Sequence, residues 1–135
     1  MTDRAIFLTH AEVNIDPQVP VPEWGLSAEG YARHTRFATD AELGRVTAIY
    51  ASTERKAREA AATVRTTRAI EVVECNELGE NDRSATGYLP PDEFWPVVDA
   101  FFARPDQSVH GWETARAAQS RITDATQTLL DKAPE

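Results

Sequence analysis

Val46-Thr47-Ala48-Ile49-Tyr50-Ala51 runs directly into Ser52-Thr53-Glu54-Arg55-Lys56-Ala57-Arg58-Glu59-Ala60-Ala61. The first six residues are rich in β-branched and aromatic side chains and predict a strand. Ser52 or Thr53 then offers a helix cap, and the alanines that follow favour a helix able to pack closely on a sheet. A strand feeding a helix is half of a βαβ unit. The other half follows in Ala69-Ile70-Glu71-Val72-Val73-Glu74, which reads as another strand. Upstream, Ala5-Ile6-Phe7-Leu8 is apolar without interruption, as expected of a strand covered on both faces. Leu26-Ser27-Ala28-Glu29-Gly30 opens a helix to about Ala38, with Ser27 as its cap.

The order is therefore strand, helix, strand, helix, strand. A polar stretch from Asn76 to about Pro90 follows, too long for a simple connection and of the kind that is functional or mobile. Two helices close the chain, one from Pro91 and one spanning about Trp112 to Lys132. Phe94, Trp95, Phe101 and Phe102 read as core. This alternation implies an α/β fold, a three-layer sandwich with a mostly parallel sheet flanked by helices. Residues 1–135 carry no linker that would divide them and read as a single domain.

The bulk properties narrow the function. A net charge of −8 over 135 residues argues against a nucleic-acid partner. A cluster of Arg45, Arg55, Lys56, Arg58 and Arg65 stands out against this acidity and suits either a small anion or a solvated helix face. No apolar run approaches a membrane span, and the first residues do not resemble a signal peptide. Cys75 is the single cysteine, so no intrachain disulfide is possible and a cytoplasmic location is expected. Cys75 itself reads as an inert buried thiol. The histidines are dispersed, so no metal site is expected, and no cofactor either.

In open parallel sheets ligands bind beyond the carboxyl ends of the strands. His10 closes the first strand, Lys56 lies just inside the helix after the second, and Glu80 lies in the loop after the third. An imidazole can attack phosphorus, a cation can hold phosphate oxygens, and a carboxylic acid can protonate a leaving oxygen. Glu77 and Asp82 are rivals to Glu80. His34 is expected on an exposed helix face and His110 in a loop.

At these residues the chain resembles the histidine phosphatases, the phosphoglycerate-mutase-like superfamily. That family begins strand–Arg-His-Gly-Glu, followed by Leu-Thr-x-x-Gly; here stand Thr9-His10-Ala11-Glu12 and Leu26-Ser27-Ala28-Glu29-Gly30. Its Ser-x-x-x-Arg-Ala-x-x-Thr-Ala is matched by residues 52–61, its Leu-x-Glu by Leu78-Gly79-Glu80, and its Gly-x-Glu by Gly111-Trp112-Glu113. The resemblance implies a phosphomonoester phosphatase that works through a phosphohistidine. His10 would be the nucleophile and Glu80 the general acid. Thr9, Asn14, Arg55, Lys56 and Arg83 would bind phosphate or substrate. The partner would be a small phosphorylated molecule or a phosphoprotein.

The departures matter as much. Thr9 stands where the family has its first arginine, and Lys56 where it has its second. Arg55, Arg58 and Arg83 are candidates to restore the charge. The family's later strand, which delivers a second histidine, would begin where this sequence stops. The expectation is a truncated domain with an unpaired first strand, inclined to associate with another copy, and a site that is degenerate or inactive as it stands. The competing reading is a non-catalytic phosphate-binding or protein-interaction module built on that fold. Mutase activity is less expected, since nothing identifies a second phosphate clamp.

Overall fold

A computed structural model describes residues 4–132. Two of the expected strands form. Strand β1 (Ile49–Ala51) and strand β2 (Val72–Glu74) pair in parallel, Ile49 beside Val72 and Ala51 beside Glu74. They are joined by helix α2 (Arg55–Arg68), which crosses over and packs on both. Helix α1 (Ala28–Phe37) lies against α2. Helices α3 (Pro91–Ala103) and α4 (Ala115–Lys132) complete the chain. The result is an α/β fold in which helices flank a small, open, parallel sheet.

Local chemistry explains where the helices begin. Ser27 caps α1 as expected: its Oγ accepts from the Gly30 N–H at 3.0 Å. Gly30 is required for a different reason, space. A Cβ there would lie 2.1 Å from the Glu12 carbonyl oxygen, so only glycine lets the loop after His10 press on the first turn of α1. Helix α2 is capped differently from the expectation. Glu54, not Ser52 or Thr53, occupies the cap position, with no side-chain capping bond. The Thr53 hydroxyl donates instead to Asn76 Oδ1 at 2.9 Å, tying the two loops that follow β1 and β2.

The core is divided. Ala38, Leu43 and Val64 form one cluster, with Phe37, Val46 and Ile49 against it, between α1, α2 and the start of β1. Val97, Phe101, Val109 and Trp112 form the other beneath α3. Trp112 is anchored by its indole N–H, which donates to Thr86 Oγ1 at 2.9 Å and so ties α3's cluster to the long loop.

The first expected strand is a correction. Residues 5–8 belong to no ladder, and Ile6, Phe7 and Leu8 are 43%, 63% and 46% exposed. A strand is defined by its partner. Among the described residues β1 pairs only with β2, so the apolar run has no neighbour to complete it. A second correction concerns aromatic residues read as core. Phe101 is buried, but Trp95 and Phe102 are 60% and 69% exposed. Cys75 is only half-buried, with its thiol pushed up by burial and by Glu77. Helix α4 starts at Ala115 rather than near Trp112, because Gly111 (φ +79°) turns the chain first.

Candidate active site

Three chain segments converge on the Glu80 carboxylate. His10, from the segment before α1, places Nε2 3.0 Å from Glu80 Oε1. Lys56, in the first turn of α2, places Nζ 3.1 Å from Glu80 Oε2. Arg83 reaches the same oxygen at 3.0 Å from three residues further along the loop. The juxtaposition expected of His10, Lys56 and Glu80 is therefore present.

Lys56 is nearly inaccessible, at 3%. A buried ammonium needs counter-charge, and it has two carboxylates, Glu54 at 3.2 Å and Glu80 at 3.1 Å. Glu54 also accepts from the Glu80 backbone N–H at 2.8 Å. The residue that opens α2 thus holds both the lysine and the loop carrying Glu80.

His10 is oriented from its other side. Its Nδ1–H donates to the Ala11 carbonyl at 2.7 Å, which leaves Nε2 as the nitrogen directed at Glu80. The hydrogen bond to Glu80 raises the His10 pKa, with burial opposing. The same bond, helped by Lys56 and Arg83, holds Glu80 at about 2 against the desolvation that pushes it upward. Between the two shifted values the pair is an imidazolium facing a carboxylate.

Two residues were missed in the sequence. His34, expected on an exposed face, is 4% exposed. Its Nε2 accepts from the Ala11 backbone N–H at 2.9 Å. A backbone N–H can only donate, so the His34 ring is neutral at Nε2. Burial first, then the charge of His10, lowers its pKa. It fixes the residue whose carbonyl orients His10. Arg121 of α4 is the second. Its guanidinium donates to the carbonyls of Glu77, Gly79 and Glu80 at 2.7, 2.8 and 3.2 Å. It also grips both oxygens of Glu113 at 2.7 and 3.0 Å. Glu113 in turn exchanges backbone and side-chain bonds with Asp82. No sequence signal marks Arg121; Glu113 was visible only through its Gly-x-Glu motif.

The remaining expected residues are not gathered at the carboxylate. Arg55 is turned to Glu59 at 3.1 Å, and Arg58 to Glu74 at 2.8 Å. Asn14 Nδ2 donates to the Leu26 carbonyl at 3.5 Å and serves the loop. Thr9 is exposed beside His10. Of the rivals to Glu80, Glu77 lies beside Cys75, and Asp82 Oδ1 accepts from the Ser84 N–H. Among the described residues, no group of three or more His, Cys, Asp or Glu side chains is arranged to hold a metal ion.

Residues 8–135 match the histidine phosphatase superfamily, branch 1. The chain belongs to that superfamily. Its members are phosphomonoester phosphatases that act through a phosphohistidine. The fold is similar to that of mycobacterial glucosyl-3-phosphoglycerate phosphatase with inorganic phosphate (TM-score 0.73, 19% identity, covering 93% of this chain and 61% of that one). The same mycobacterial phosphatase complexed with VO3 superposes with a TM-score of 0.77 at 17% identity, covering 93% of this chain and 64% of that one. Bacillus stearothermophilus YhfR superposes with a TM-score of 0.73 at 24% identity, covering 91% and 65%. The chain spans about three-fifths of the length of those structures. No curated protein sequence matches it. Among its described residues no helix is long and apolar enough to cross a membrane.

Proposed function

We propose that this chain carries a phosphoryl-transfer site of the histidine-phosphatase type, with His10 as phosphoryl acceptor and Glu80 as proton donor and acceptor. The observation that carries the reading is the contact of His10 Nε2 with Glu80 Oε1 at 3.0 Å, beside Lys56 and Arg83. The phosphate and VO3 bound by the mycobacterial phosphatase support an anion as the ligand.

The Glu80 carboxylate holds both cations, Lys56 and Arg83. An incoming phosphate monoester dianion competes for Lys56 and Arg83, and Glu80 loses the partners that hold it ionised. The proton shared with His10 then passes to Glu80, leaving a lone pair on Nε2. Nε2 attacks phosphorus as the P–O bond to the leaving group breaks, and Glu80 gives its proton to that oxygen. Water next attacks the phosphohistidine, Glu80 takes a water proton, and the N–P electrons return to Nε2 as phosphate departs. Lys56 supplies a point charge rather than a bidentate fork, and Thr9 supplies none. The missing contact costs ~3 kcal/mol of transition-state stabilisation, or about a hundredfold in rate. Turnover is therefore slow, and small phosphate monoesters are the expected substrates.

The competing reading, a phosphate-binding module without turnover, draws on the same threonine. Hydrolysis of p-nitrophenyl phosphate by the chain, by His10→Ala and by Thr9→Arg separates the two. Slow turnover abolished by His10→Ala and raised by Thr9→Arg supports the enzyme. Tight VO3 binding with no His10-dependent turnover in either form supports the module. The exposed Ile6-Phe7-Leu8 segment also supports association between copies. Sedimentation should then give a concentration-dependent mass that falls in Phe7→Glu.

A further inference from the structure

Beyond Glu80 the surface changes character. A groove of about 330 Å³ opens there, lined by Phe94, Val98, Phe101, Phe102 and Trp112, with Glu80, Asn81 and Arg83 at its polar end. Two features of this wall are left unused by the phosphoryl chemistry. Phe102 presents its ring to solvent on a helix whose neighbouring Phe101 is buried. The buried Asn81 Nδ2 has no hydrogen-bond partner among the described residues. Arg83 joins the two regions: one terminal nitrogen is on Glu80, while the planar group stacks over Phe94 and Trp112, 5.4 and 5.9 Å from the ring centroids.

The direction of the groove follows from proton transfer. An acid must contact the oxygen it protonates, so the leaving group departs on the carboxylate's side. Glu80 is itself part of the groove wall. A polyhydroxylated leaving group would find few partners among these rings and would lose its hydration uncompensated. An aromatic group would bury its faces against Phe94 and Phe102, where offset or edge contacts are favourable.

We propose that this groove receives the leaving group and that the substrates are small aryl phosphate monoesters. The proposal rests on the phosphoryl-transfer reading given above. The Phe94–Phe102 wall selects the aryl group, and Arg83 serves phosphate and arene together.

Calorimetric titration of the chain with 1-naphthylphosphonate, methylphosphonate and 1-naphthol tests it, with Phe102→Ala as the groove variant. The exposure of Phe102 makes that substitution safe for folding, and Val98→Ser provides a second perturbation. The aryl phosphonate should bind at least tenfold more tightly than methylphosphonate. Both variants should shrink that ratio to threefold or less, with methylphosphonate affinity unchanged. Equal affinities for the two phosphonates overturn the substrate assignment alone and leave the anion site standing. Binding of 1-naphthol with neither phosphonate, or no binding at all, overturns the anion site and this assignment together. A ratio that survives both variants overturns the groove as its source. So does a sedimentation mass that changes in Phe102→Ala without any change in ratio, since the groove is then a contact between copies.

Discussion

His10 Nε2 and Glu80 Oε1 lie 3.0 Å apart while His10 Nδ1–H is committed to the Ala11 carbonyl at 2.7 Å. With Nδ1 committed as donor, one proton must lie between Nε2 and the carboxylate. When it is on His10 the site is an ion pair and cannot attack phosphorus. When it is on Glu80 the same two residues are the nucleophile and the acid that the proposed function requires.

That pairing makes stability depend on pH from both sides. Glu80 is lowered from 4.5 to about 2, so its contribution is present above 4.5 and lost as pH falls towards 2. His10 is raised above 6.5, so its contribution is complete below 6.5 and lost as pH rises through the raised value. The pair stabilises most between pH 4.5 and 6.5. Glu80→Gln should lower the melting temperature more at pH 5.5 than at pH 9, and thermal denaturation at both values measures it. A deficit equal at the two pH values would show that Glu80 acts through Lys56 and Arg83, whose charges persist at both, and not through His10.

His34 has the opposite slope. Its pKa is lowered below 6.5, so its folded-state contribution is present above 6.5 and declines as pH falls through the lowered value. Glutamine keeps an acceptor for the Ala11 N–H, whereas leucine leaves that donor unpaired at about 1–3 kcal/mol. His34→Leu should be destabilised by about that amount and should disturb the His10 ring resonances. His34→Gln should retain them and remove the acid-side loss. Identical behaviour of the two variants would mean the hydrogen bond is immaterial.

Arg121 is a clamp on the backbone around Glu80. Arg121→Met leaves Glu113 without its cation and the Glu77, Gly79 and Glu80 carbonyls without their donor. The expected destabilisation is about 3 kcal/mol, read by urea denaturation. Hydrogen exchange at residues 77–83 should accelerate more than exchange in α1. Unchanged exchange in that loop would assign its order to other contacts.

Gly30 gives a test in which two effects have opposite signs. Alanine is worth about 1 kcal/mol over glycine within a helix. Here its Cβ would meet the Glu12 carbonyl oxygen at 2.1 Å, an overlap that costs about 1–3 kcal/mol or more. Gly30→Ala should therefore destabilise and displace the loop that follows His10. A stabilised variant would show that the loop moves aside freely.

The parts of this site legible in the sequence are those fixed by local order. His10, Lys56 and Glu80 were found because each follows an expected strand end, and β1, α2 and β2 are set by composition alone. The Ser27 cap was legible for the same reason. The segment 5–8 was misread because apolar composition cannot show whether a partner strand lies alongside. His34 sits on a helix of mixed character, and only its packing against the Ala11 backbone turns it inward. Arg121 contacts carbonyls some forty residues away, and carbonyls carry no sequence signal. The exposed rings of Trp95 and Phe102 were misread as core because period alone does not say which side of α3 is covered.

The proposed function stands or falls on transfer of a phosphoryl group to His10 Nε2. Incubating the chain with 32P-labelled phenyl phosphate, quenching in alkali and mapping the labelled peptide tests this directly. The label should be stable in alkali, lost in acid, located on His10, and absent from His10→Ala. Failure of the wild-type chain to acquire label at saturating ester, or label of equal amount in His10→Ala, would contradict it.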